Sequence, residues 1–163
     1  MRIYIFSAGL FCVAISVLAT SVDAQRTNRS NWKTIDAEGL FTFTLPAGFK
    51  QTETGIDSFM RGYKRGRAEF IFVCGDSASR EYDEKKMRGL REDATTTNGK
   101  YATVRTFVYR WERTSDYVIE LNVGNWRDGR VELYMGMESP NRADIQTAKR
   151  IFKSVQFLKT GCA

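Results

Sequence analysis

The chain has 163 residues, a formal net charge of +6 and no histidine. Without imidazole it cannot run Ser-His-Asp or Cys-His catalysis, build a histidine-based zinc site or use the usual proton switch near neutral pH. The basic balance suits an anionic partner, although the charges are spread along the chain, as on any solvated surface.

In chain order, Arg2 is followed by an apolar run from Ile3 to Leu18 and by Val22-Asp23-Ala24. That is the anatomy of a secretory signal peptide over residues 1–24, cut between Ala24 and Gln25. An uncleaved anchor is the alternative, with the run near the lower limit for crossing a bilayer. Cleavage leaves no stable membrane span and predicts a periplasmic or extracellular protein. Residues 25–31 read as a disordered polar leader, and residues 32–163 as a single domain. Cys74 and Cys162 remain in an oxidising compartment, where a lone pair points to one disulfide. Two cysteines alone cannot hold a structural zinc, so no metal or other cofactor is expected.

Phe41, Phe43 and Leu45 alternate with threonines, which predicts a strand ended by Pro46-Ala47-Gly48. Phe49 starts a short second strand, and Ile56 to Lys64 reads as a third. Lys64-Arg65-Gly66-Arg67 is a hairpin turn leading into Ala68–Cys74, apolar on both faces and therefore a central strand covered on both sides. Ser79 to Ala94 carries charge at helical spacing, with Tyr82, Met87, Leu90 and Ala94 as its apolar residues. It predicts a helix that Gly89 weakens and that exits through Thr95-Thr96-Thr97-Asn98-Gly99. Tyr101–Trp111, Tyr117–Val123 and Arg130–Glu138 then alternate as an antiparallel meander with short links. Ser139 as N-cap and Pro140 at the first helical position open a last helix, whose stripe is Ile145, Ala148, Ile151, Phe152 and Val155. This order predicts the α+β class: one antiparallel sheet of about six strands flanked by helices, with the C-terminal helix packed on the sheet.

The opening motif Phe41-x-Phe43-x-Leu45-Pro46-x-Gly48-Phe49 and the closing motif Ala148-x-x-Ile151-Phe152-x-Ser154-Val155-x-Phe157 resemble the PsbP-like family of exported domains. The resemblance implies an α/β/α sandwich over residues 32–158 and a role in binding or scaffolding proteins. It carries over no shared catalytic set. Cystatin-like and NTF-like α+β folds stay open; their enzyme members use an Asp/His pair, which this chain lacks.

Three clusters could carry function. Arg61, Lys64, Arg65 and Arg67, interleaved with Gly62, Tyr63 and Gly66, have the chemistry to grip an anion. The alternative is a hairpin tip kept soluble by charge. Trp111, beside Arg110 and Glu112, and Trp126, beside Arg127 and Asp128, have the pairing of partner contacts or sugar platforms; as lids of a core they would be structural. Asp76-Ser77-Ala78-Ser79 could present a serine or hold an anion, though capping explains it equally. The expected function is thus an exported, non-enzymatic accessory or binding domain for another envelope protein or an anionic surface polymer. The alternative is a small-molecule binder, or a hydrolase using carboxylates and arginines, with a pocket beside the sheet. Export makes nucleic acid an unexpected partner.

Overall fold

The computed structural model describes residues 31–54, 59–75, 81–125 and 130–158. The predicted signal peptide and most of the leader, Asp76–Ser79, Trp126, Arg127 and Cys162 lie outside these residues. The chain divides between Asn31 and Trp32, and the architecture below is that of the unit beginning at Trp32.

Among the described residues, ten strands and one α-helix follow in the order β1 (Trp32–Ala37), β2 (Phe41–Pro46), β3 (Lys50–Thr54), β4 (Phe59–Arg65), β5 (Ala68–Cys74), β6 (Met87–Thr97), β7 (Lys100–Arg110), β8 (Ser115–Asn125), β9 (Arg130–Ser139), α1 (Asp144–Lys153) and β10 (Gln156–Phe157). A single 3-10 turn, Glu84–Lys86, precedes β6. The strands form two antiparallel sheets. The larger has seven strands in the order β3-β4-β5-β9-β8-β7-β6, and the smaller has three in the order β1-β2-β10.

Alternation explains how the two sheets share a core. On β2, Phe41, Phe43 and Leu45 are buried while the threonines between them are half-buried. Their rings meet those of β5 at right angles: Phe41 and Phe43 pack edge-on against Phe72 at 5.2 and 5.5 Å. Such contacts add about 0.5–1.5 kcal/mol each beyond area burial. The same cluster takes Ile119, Leu121 and Val123 from β8, Leu133, Met135 and Met137 from β9, and Ile145, Ala148, Ile151 and Phe152 from α1. One face of the large sheet is therefore covered by the small sheet and α1. On its other face, Ile71 and Val73 of β5 pack on Val131 and Tyr134, and Phe107, Tyr109 and Val118 pack under Tyr82 and Met87.

This corrects the expected fold class. The domain is mostly β, with two sheets and one α-helix among the described residues, and not an α/β/α sandwich around one six-stranded sheet. The largest change is residues 79–94, predicted helical. From Met87 onward they run as β6, which pairs with β7. The decisive signal is Asn98-Gly99, where both residues have positive φ (49° and 81°) and link Thr97 to Lys100. Asn-Gly is the preferred pair for a two-residue hairpin turn, and it fixes β6 as the partner of β7. Gly89, at φ 63°, sits where the register slips between Arg88 and Arg91, so it marks a bulge and not a weak point of a helix.

The final helix is also shorter than predicted. Ser139 closes β9, and α1 starts at Asp144. Ser139 works one turn earlier: its Oγ accepts from Asn141 N–H at 3.1 Å and donates to Asp144 Oδ2 at 2.6 Å.

Candidate functional site

The cationic hairpin was the first sequence candidate, and its strands spread its charges apart. Arg61 and Arg65 lie on one face of β4 and Lys64 on the other, because side chains alternate along a strand. Arg61 pairs with Glu38 and lies over the Phe59 ring at 4.8 Å. Arg65 reaches Asp144 at 3.0 Å and lies over Phe49 at 4.7 Å. Lys64 faces Glu69 at 3.4 Å. Arg67 is exposed at the turn, where Gly66 takes φ 60°. Three of the four cations thus face carboxylates across elements, and the geometry gathers no common anion cradle here.

Cations converge instead at the far end of the large sheet. The β7–β8 hairpin runs through Trp111-Glu112-Arg113-Thr114, with Trp111 N–H donating to Thr114 O at 2.9 Å. Around it Arg88 of β6, Arg110 of β7 and Arg113 of the loop line an open hollow of about 380 Å³, together with Trp111 and Glu112. The Trp111 ring stands edge-on to Tyr109 at 4.7 Å, and 37% of the residue stays exposed. One side of the ring is thereby anchored, leaving surface for a ligand. Three guanidinium groups against one carboxylate make the hollow cationic.

The compositionally oddest place is on β7, β8 and β9, on the face turned away from the small sheet and α1. Glu120 is 1% exposed. Its carboxylate accepts from Tyr134 O–H at 2.9 Å and from Arg105 at 3.2 Å. Tyr82 donates to Glu138 at 2.6 Å, and its phenol stands close enough to Tyr134 to act on it electrostatically. Burial, with the Glu120 charge next, holds the Tyr134 phenol well above its usual pKa of 10.0. Gly136 makes room for this arrangement. It stands opposite Glu120, and a Cβ there would meet Tyr134 Cζ at 2.9 Å, so Tyr134 can lean over Gly136 to reach the carboxylate. The Glu120 carboxylate and the Tyr134 phenol are enclosed and hydrogen-bonded, which is the condition for a polar group to stay in a core.

The chain matches no protein-family model and no curated protein.

Among the described residues no group of three or more Cys, Asp or Glu side chains is placed to hold a metal ion. No described helix is long and apolar enough to cross a membrane. Sequence reasoning had Trp111 and Arg110 but missed Arg88 and Arg113. Arg88 reaches the hollow only because β6 is a strand. It also missed the Glu120 cluster, for which the signal was present: in the β7–β8 hairpin register, Arg105 falls opposite Glu120.

Proposed function

We propose that this is an exported, non-enzymatic accessory or binding domain that holds an anionic group of an envelope partner in the β7–β8 hollow. The observation that carries the reading is the convergence of Arg88, Arg110 and Arg113 beside the half-open Trp111. Guanidinium forks suit carboxylate, phosphate or sulfate, and an exposed indole adds a stacking surface for a sugar ring or a second cation. The net charge of +6 attracts a polyanion from a distance and the hollow gives it a place to stay. Glu120, the most enclosed carboxylate, is engaged by Tyr134 and Arg105, which supports a structural role for it over a hydrolytic one.

The test is retention on immobilised dextran sulfate, with neutral dextran as reference. The protein should bind at about 0.05 M salt and elute before about 0.5 M, as screened surface charge does. Replacing Arg88, Arg110 and Arg113 together by Gln should weaken binding by at least about threefold, since exposed ion pairs contribute about 0.2–1 kcal/mol each. Replacing Lys33, Lys50 and Arg142 by Gln removes equal charge elsewhere and should weaken it much less. Equal losses in the two triple variants would reduce the hollow to a share of net charge.

A further inference from the structure

β6 is the outer strand of the large sheet, and among the described residues nothing pairs with its free edge. Natural sheets guard such edges with charges, bulges or proline. The first half of β6 is guarded in that way, by Arg88, Arg91, Glu92 and Asp93 and by the bulge at Gly89. The second half, Ala94-Thr95-Thr96-Thr97, has no charge, no bulge and no proline.

A groove of about 380 Å³ runs beside that unguarded half, between β6 and α1. Its floor is Val104, Leu121 and Phe152; Lys149 and Lys153 of α1 stand exposed on the far wall, and Asp93 lies on the β6 side. An open strand edge next to a groove with an apolar floor is the geometry for adding a strand from a partner: main-chain bonds hold it, and alternate side chains enter the groove. The two lysines specify those side chains. They are one helical turn apart, about 6 Å, close to the roughly 7 Å between residues i and i+2 of a strand.

From this placement we infer that the Ala94–Thr97 edge and the α1 groove together form a docking site for an extended peptide segment of a partner protein. The segment carries two acidic side chains at i and i+2, whose length lets them reach over β6 toward Lys149 and Lys153. Asp93 repels an acid placed beside it, which sets the register of the acidic pair toward the lysines. This site is separate from the arginine hollow, and its success or failure is read independently of that reading.

The two-residue turn at Asn98-Gly99 makes Thr97 and Lys100 a hydrogen-bonded pair, so Thr96 and Ala94 fall at the alternate positions whose N–H and C=O groups face outward. The probe is the peptide Thr-Glu-Thr-Glu-Thr-Val-Thr, with a control in which both Glu are Lys. Added to the full domain, the acidic peptide should slow hydrogen exchange at the Thr96 and Ala94 amides by at least tenfold, and the control should not. Thr96→Pro removes an outward N–H without touching the β6–β7 ladder, and it should abolish binding while the amide spectrum stays folded. The double variant Lys149→Glu/Lys153→Glu should lose the acidic peptide at least tenfold and gain the lysine peptide. The inference is overturned if the acidic peptide fails to protect these amides, or if charge reversal leaves its affinity unchanged. It is also overturned if the edge is already protected by a second copy of the chain, seen as a dimer in light scattering that Thr96→Pro dissolves.

Discussion

Glu120 shows how one residue's cost is met by its neighbours. A carboxylate at 1% exposure is unfavourable by several kcal/mol unless paired and hydrogen-bonded. Arg105 and Tyr134 supply both, from the two strands that flank β8. Glu120→Ala leaves the Arg105 charge, itself only 15% exposed, without this carboxylate, and should lower the unfolding free energy by about 3 kcal/mol in urea titration. Glu120→Gln keeps an acceptor for Tyr134 and should cost less; an equal cost would mean that the charge opposite Arg105, and not the acceptor, carries the contribution. The phenol makes a second prediction. Below pH 10 the native and unfolded chains both hold the Tyr134 proton. Above it the unfolded chain releases the proton while the native state, with its raised pKa, retains it. The native state then binds more protons, so stability falls as pH rises, by up to about 1.4 kcal/mol per pH unit from this group. Tyr63, raised chiefly by burial and partly offset by Arg61, adds to the fall. Tyr134→Phe should flatten the slope of unfolding free energy between about pH 10 and 12, where free tyrosine ionises. An unchanged slope would place the alkaline sensitivity elsewhere.

Elements were legible from sequence in proportion to how much their own residues bury. β5 matches its predicted span, Ala68–Cys74, because Phe70, Phe72 and Cys74 alternate into the core. The three meander strands match within about two residues for the same reason. β6 failed because it is an edge strand. From Arg88 to Thr96 every residue is exposed, so no apolar period existed to read, and charge at helical spacing filled the gap. β1 was missed likewise: Lys33, Thr34 and Asp36 are exposed, and its hairpin turn at Glu38-Gly39 holds both residues at positive φ. In α1 the stripe was right, but the start was placed at Ser139-Pro140, four residues early, because Ser139 binds Asp144 across a turn and does not cap the helix. Asp144 is the joint of this element. Its carboxylate accepts from Ser139 and from Arg65 of β4 with the side chain 13% exposed. It also lies in the first helical turn, where negative charge is favoured. Asp144→Ala should therefore cost about 1–2 kcal/mol, measured by urea unfolding. An Arg65→Ala cost that is the same with and without Asp144 would show that the two do not act on each other.

At the scale of the molecule, the helical layer expected on a second face became strand, and the cover on the core face became a small sheet plus α1. That cover bears on the proposed bridge between Cys74 and Cys162. Phe157 of β10 pairs with Phe41, and Leu158 N–H donates to Leu40 O at 2.9 Å, so the described chain ends beside the start of β2. Phe41 in turn packs on Phe72 at 5.2 Å, and Cys74 is two residues further along the same buried face of β5. Four residues from Leu158 to Cys162 can span at most about 14 Å, which sets the reach of the second cysteine. Cys74 is 5% exposed, so such a bond would be shielded from reductant. We propose that the bridge forms on export. Closing a loop of that length stabilises by roughly 4–5 kcal/mol in the chain-entropy model, less any strain. The unreduced mature protein should have an intact mass two hydrogens below the reduced value and take up no alkylating agent in denaturant. Reduction, or Cys162→Ser, should lower its urea midpoint. Two alkylated cysteines in protein recovered unreduced from an oxidising compartment would rule the bridge out.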